Sequence, residues 1–277
     1  MEAKHRSILL IGESNVGKTH YGAQFLKRLI VQGCELEMNG AATNLRPFED
    51  AMNCLAEGKA TRHTAAGSYV ESVWPIVDRQ KRQAEMIWPD YGGEQIRDLT
   101  RNRVIPAPWR DRVSSASDWI LVVRLNTVRQ AEDIFTRPIS SLGQQNPDAQ
   151  AQRLSDQARL IELLQILLYV AGLGRETRLS VPGLSVLLSC WDELGLAAGT
   201  KPADVLKERV PMLFAFLQST WEVPDIVGLS ALEKSLTEND SDMAYATRGP
   251  EHFGYVILPD GSHSTDITLP VQRLLMA

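Results

Sequence analysis

The residues with the most legible chemistry are Gly12-Glu13-Ser14-Asn15-Val16-Gly17-Lys18-Thr19, which fit the pattern G-x-x-x-x-G-K-[ST]. Glycines at the two fixed positions let the backbone approach a polyphosphate closely and turn its N–H groups inward. Lys18 is expected to reach the β- and γ-phosphates, and the Thr19 hydroxyl to take a position on Mg²⁺. The flanks suit this role. Ser7-Ile8-Leu9-Leu10-Ile11 is an apolar run of the length of a buried strand, and Tyr21, Phe25, Leu26, Leu29 and Ile30 follow at helical spacing. A helix starting at the loop adds partial positive charge where the phosphates would lie.

Other polar groups stand where expected strands run out. A hairpin is expected from strands at 68–78 and 81–90, joined by Asp78-Arg79-Gln80, and its second strand runs into Trp88-Pro89-Asp90-Tyr91-Gly92-Gly93-Glu94. The buried strand Val186-Leu187-Leu188-Ser189-Cys190 leads into Trp191-Asp192, and a last core strand ends in Ser230-Ala231-Leu232. Ahead of the hairpin, residues 59–67 are polar, read as a loop, and contain Thr61 and Thr64.

This order of motifs resembles the Ras-like GTPases of the translation-factor-related class. Their pattern runs from phosphate loop to switch threonine, D-x-x-G, [NT]-K-x-D and S-A-[KL]. The matching strings here span residues 7–232. The resemblance implies a protein that binds GTP and GDP with Mg²⁺ and hydrolyses GTP. It implies that Asp90, with Thr19 and the switch threonine Thr64, holds the metal, and that the Gly93 N–H senses the γ-phosphate. Thr61 is the second choice for the switch residue. It further implies that Asp192 pairs with the two N–H donors of guanine, and that Ser230 and Ala231 offer hydrogen bonds near the guanine O6. Catalysis would fall to Lys18, Thr64 and Glu94, and the nucleotide would be bound by Gly12, Glu13, Ser14, Asn15, Val16, Gly17, Lys18, Thr19, Gly93, Asp192, Ser230 and Ala231.

Two positions depart from the family pattern. The lysine that normally lies along the base and braces the phosphate loop is replaced by Cys190, with Trp191 next to it as either a stacking or a packing residue. The residue after D-x-x-G is Glu94, where a Gln often orients the attacking water, so intrinsic hydrolysis is expected to be slow. Arg62, or one of Arg97, Arg101 and Arg103, is a candidate for neutralising charge in the transition state. The extra residues ahead of the switch, a long helix from Pro147 and the tail with Pro259-Asp260-Gly261 resemble bacterial double-GTPase families of conflict and defence gene clusters. That narrower likeness implies action with a partner GTPase or effector. An ATP-using phosphate-loop enzyme and a nucleotide-binding scaffold without turnover remain as alternatives.

The elements needed to hold these groups alternate along the chain. Helices are expected at 21–31, at 47–57 with Pro47 in its first turn, at 94–103, at 147–171 and at 202–218 with a break at Pro211, and a closing helix at 267–276. Residues 238–251 read as a polar loop, followed by a short strand at 254–258 and a turn at Pro259-Asp260-Gly261. The fold class is therefore α/β: a mostly parallel sheet with helices on both faces and one antiparallel hairpin strand. The expected organisation is one domain over 1–277, with a helical insert near 127–175 and a C-terminal extension at 238–277.

Bulk properties narrow the partners. With 277 residues, 44% of them hydrophobic, the chain can bury a large core. A net charge of −5 argues against a general nucleic-acid surface. The three cysteines, Cys34, Cys54 and Cys190, are scattered without metal-ligand spacing and suit a reducing compartment. No apolar run approaches the length of a membrane span and no leader is legible, so a cytoplasmic protein is expected.

Overall fold

The computed structural model describes residues 6–31, 33–61, 70–90, 94–129, 155–173 and 177–277. Nine strands among them form one sheet in the order β2-β3-β4-β1-β5-β6-β7-β8-β9. The strands are β1 (Arg6–Gly12), β2 (Leu36–Met38), β3 (Val70–Asp78), β4 (Gln83–Asp90), β5 (Asp118–Val123), β6 (Gly183–Ser189), β7 (Asp225–Ser230), β8 (Tyr255–Ile257) and β9 (His263–Ser264). β4, β1, β5, β6 and β7 run parallel. The pairs β2–β3, β3–β4, β7–β8 and β8–β9 are antiparallel.

Central parallel strands are buried on both faces, which explains why β1 and β5 read as unbroken apolar runs. Leu9 and Ile11 of β1, with Trp119, Leu121 and Val123 of β5, face one core. The alternating residues Ile8, Leu10, Ile120 and Val122 face the other. The first core is covered by α3 (Glu94–Asn102), α4 (Ala107–Ser115), α5 (Asp156–Val170), α6 (Pro202–Arg209) and α7 (Pro211–Thr220). The second is covered by α1 (Lys18–Ile30), by Phe48 of α2 (Arg46–Ala56) and by α9 (Leu269–Met276).

Several elements differ from the expectations. β2 is too short to give a periodic signal, and it forms because the exposed edge of the hairpin offers unpaired backbone groups. Pro106 does not simply end α3. It precedes a separate helix, α4, with Pro108 in its first turn, where a missing N–H costs nothing. Residues 238–251 are not all loop: α8 (Met243–Arg248) is capped by the Asp242 side chain, which accepts from the Tyr245 N–H, and it buries Tyr245. The helix expected from Pro147 is described from Ser155, which caps α5 by accepting from the Ala158 N–H; residues 130–154 lie outside the described set. The break expected at Pro211 separates α6 from α7. No helix among the described residues is long and apolar enough to cross a membrane.

An aromatic cluster fastens the phosphate-loop helix to the hairpin. Trp74 and Trp88 stack at 5.1 Å, and Phe48 of α2 meets them edge-on at 4.9 and 5.5 Å. Tyr21 and Phe25 of α1 complete it at 5.6 Å from Trp88 and 6.1 Å from Trp74. Gly22 allows the approach, because a Cβ there would lie 2.3 Å from Phe48 and 2.8 Å from Trp88. Gly22→Ala is expected to destabilise the protein by about 1–3 kcal/mol, the usual cost of overpacking, despite the better helix propensity of alanine. Urea denaturation measures this; an unchanged or raised midpoint would show that the cluster yields freely.

Candidate functional site

The C-terminal ends of the parallel strands converge on a cavity of about 340 Å³. Ser14, Asn15, Gly17, Lys18, Thr19 and His20 line it from the loop after β1 and the start of α1. Ala60 and Thr61 line it from the chain after α2, and Trp88 and Pro89 from β4. Arg124 comes from the end of β5, Ser189, Cys190, Asp192 and Glu193 from the end of β6, and Ala231, Leu232 and Lys234 from beyond β7.

The phosphate loop owes its shape to backbone conformations that only a few residue types adopt readily. Gly17 caps α1 in the left-handed region at φ 82°, and Asn15 is left-handed at φ 62°. Lys18 Nζ donates to the carbonyls of Gly12 (2.9 Å) and Glu13 (2.5 Å). Val16 is turned into the core beneath the loop. Gly12 closes β1 close to Val16 and Val122, where an added Cβ would meet both at 3.1–3.2 Å. The Glu13 carboxylate does not line the cavity: it is buried against α5 and accepts from Arg159 Nε (2.5 Å) and Nη2 (2.7 Å). Arg159 also donates to Asp156 at 2.6 Å. The nearby Glu13 carboxylate, against the effect of burial, holds the Arg159 guanidinium above its ordinary value.

One hydroxyl on the cavity, Ser14 Oγ, is buried and has no hydrogen-bond partner among the described residues. Buried polar groups ordinarily have one, so it fits a polar ligand in this space. Thr19 also faces the cavity. Asp90 closes β4 and Glu94 opens α3 at the same sheet edge, although their side chains lie outside the described set, as do Thr64 and Gly93 entirely. Among the described residues no three or more His, Cys, Asp or Glu side chains could hold a metal together. A Mg²⁺ bound mainly by water and phosphate oxygens needs only one or two protein donors, and Thr19 on the cavity wall is of a type that can serve.

At the β6 end of the cavity, Asp192 lies on a 3-10 turn, Trp191–Leu194, after Cys190 in a left-handed conformation at φ 52°. Trp191 is a packing residue. It is buried, and its ring lies 2.6 Å from where a Cβ on Gly228 would be. Ser230 is fully buried, and its Oγ accepts from the Glu233 N–H at 2.9 Å, so its side chain shapes the turn while Ala231 and Leu232 line the cavity. Burial pushes the Cys190 thiol up to about 11, which keeps it protonated.

With this geometry in place, comparison with known proteins is informative. The sequence model of the family described as Double-GTPase 1 matches residues 9–274. The chain belongs to that family. Membership bears out the Ras-like, translation-factor-related resemblance of the motifs, and GTP and GDP are the ligands a GTPase family implies. A search of curated proteins found no match. Two solved structures are similar at low identity. One is a bacterial selenocysteine-specific elongation factor, EF-Sec, at 15% identity and TM-score 0.39, covering 82% of this chain and 26% of that one. The other is the Arl6 BBS3 small GTPase from Trypanosoma brucei with bound GppNp, at 14% identity and TM-score 0.39, covering 83% of this chain and 89% of that one. This double-GTPase chain thus spans about a quarter of the elongation factor.

Side chains of the double-GTPase site that escaped the motif reading include Arg124, His20, Glu193 and Lys234. Arg124 could have been found, since it directly follows a buried parallel strand and all such strands end at one edge. Lys234 is held by Asp242 at 2.5 Å, in a segment whose pairing has no sequence signal. His20 follows Thr19 and accepts at Nε2 from the Thr61 N–H (3.2 Å), with the Thr61 hydroxyl 3.1 Å away. Burial, and then the charge of Arg124, pulls His20 from 6.5 down to about 4. The folded state therefore refuses a proton that the unfolded chain accepts below pH 6.5. The resulting stability is intact above pH 6.5 and declines as pH falls toward 4, where the folded protein is protonated too. Between pH 7 and 4.5 the wild-type Tm is expected to fall a few °C further than that of His20→Asn. Parallel thermal-melting profiles would overturn this.

Proposed function

We propose that the chain binds GTP with Mg²⁺, hydrolyses it slowly to GDP, and works in the cytoplasm as a nucleotide-dependent switch for a partner GTPase or effector in bacterial conflict or defence. The observation that carries this is the meeting, in one cavity, of the phosphate loop, Asp192 and Ala231. They come from loops after three parallel strands, a polyphosphate cradle at one end and a carboxylate at the other. We take the chain as a single nucleotide-binding domain, with the segment near 127–175 as an insert and 238–277 as an extension. In support, β8 and β9 of the extension continue the same sheet.

In this reading Lys18 and the loop N–H groups hold the β- and γ-phosphates. Thr19, Thr64 and Asp90 would hold Mg²⁺, which would supply positive charge to offset the charge of the phosphates. The Gly93 N–H meets the γ-phosphate, and Glu94 accepts from the attacking water. Its carboxylate stands close to an anionic phosphate, which slows the attack. Asp192 pairs with guanine N1–H and N2–H, assisted by backbone groups at Ser230 and Ala231. The segments 59–67 and 90–94 order around the γ-phosphate and relax on its loss, and the partner reads that difference.

Calorimetry with Mg²⁺ is expected to give GTP and GDP an affinity roughly 100-fold or more above ATP, since two charge-assisted hydrogen bonds distinguish the bases. Asp192→Ala should erase most of the preference. Equal GTP and ATP affinity in the wild type would overturn the guanine assignment. Phosphate release should be slow and rise in Glu94→Gln; a markedly slower Gln variant would show that Glu94 assists the chemistry. No release above background with GTP bound would favour a non-hydrolysing scaffold.

A further inference from the structure

Cys190 stands where the related GTPases carry the lysine that braces the phosphate loop. Its Sγ lies 3.9 Å from where a Cβ on Gly17 would be, beside the loop. A thiol there is a weak donor and carries no charge. The adjoining space holds a cation from another strand. Arg124, at the end of β5, donates from Nη1 to the Asn15 carbonyl at 3.2 Å. The same guanidinium donates from Nε (3.1 Å) and Nη2 (2.5 Å) to the two carboxylate oxygens of Glu193, the neighbour of Asp192. Asn126 Nδ2 adds a long contact to Glu193 at 3.5 Å. The Arg124 side chain is 28% exposed and Glu193 is 17% exposed, so the pair is partly shielded from water on the cavity wall.

We propose that Arg124 replaces the missing lysine, tying the phosphate loop at Asn15 to the base-reading turn at Glu193 so that the two ends of a guanine nucleotide are held at a fixed separation. This rests on the guanine-nucleotide reading of the cavity. Arg124 acts as a positioning residue through Asn15 and through Glu193, the neighbour of Asp192. The planar fork suits the task, because one guanidinium can engage a carbonyl and grip a carboxylate with two parallel bonds at once. A lysine at Cys190 would reach the loop from the other side with a single ammonium. The two solutions are therefore exchangeable in principle, and this makes the inference testable by rescue.

The test is equilibrium and stopped-flow binding of a fluorescent N-methylanthraniloyl GDP to the full chain. Arg124→Ala is expected to bind roughly 10- to 100-fold more weakly, mainly through faster release. Adding Cys190→Lys to that variant is expected to restore affinity to within about 5-fold of wild type, which a generally weakened fold would not do. Cys190→Lys alone is expected to change little, because the brace is already present. If the alanine variant does not fold, Arg124→Gln, neutral and too short to span both partners, should lose affinity and regain it with Cys190→Lys. Unchanged affinity in Arg124→Ala, or a loss that Cys190→Lys leaves in place, would overturn the proposal while leaving the guanine reading intact. A wild type that binds no GDP would overturn both.

Discussion

A loop that presents its N–H groups to a polyphosphate cannot hydrogen-bond them to itself, so its shape has to be imposed from outside. Here the outside supports come from three directions. Lys18 holds the carbonyls of Gly12 and Glu13 from within the loop. Arg159 of α5 holds the buried Glu13 carboxylate from the helical face. Arg124 of the β5 end holds the Asn15 carbonyl from the side of the β6 end. A buried carboxylate without a partner is costly, so Glu13 in effect obliges α5 to dock where Arg159 can reach it.

The same logic links the loop to the rest of the nucleotide edge. α2 is clamped on α1 and the hairpin by Phe48, and the chain after it brings Ala60 and Thr61 to the cavity. That chain is also tied to the segment after β7. Ala60 N–H donates to the Thr237 carbonyl at 2.8 Å, and Asp242 N–H to Gly58 at 2.9 Å. Gly58 has to be glycine, since its left-handed conformation and the close Asp242 carbonyl leave no place for a Cβ. Residues 58–61 therefore rest on the phosphate-loop helix through His20 and on the C-terminal segment through these backbone bonds.

Elements with a strong periodic or punctuating signal were legible in advance. β1, β5 and β6 are apolar because both their faces are covered, and Pro211 divides α6 from α7 because it cannot donate into a preceding turn. Elements that exist only through pairing were not. β2 has three residues and borrows its order from β3. α8 is six residues within the largely polar stretch 238–251, and burial of Tyr245 against Phe253 at 4.1 Å supports it. A helix that short does not persist on its own, so local composition reads it as loop.

The order of strand ends, the phosphate loop and the candidate positions Asp90, Asp192 and Ala231 were all determined by the sequence alone, because each depends on residue types at close spacing. The tertiary structure decided what long-range contact decides. It buried Trp191 against Gly228 and removed it as a stacking platform. It turned the Ser230 hydroxyl into its own turn and the Glu13 carboxylate toward α5. It set Arg124 beside Asn15, 109 positions away, where the motif pattern shows only a missing lysine. Partners that far apart leave no trace in local spacing, since nothing but the folding of the sheet brings the ends of β1, β5 and β6 to one edge.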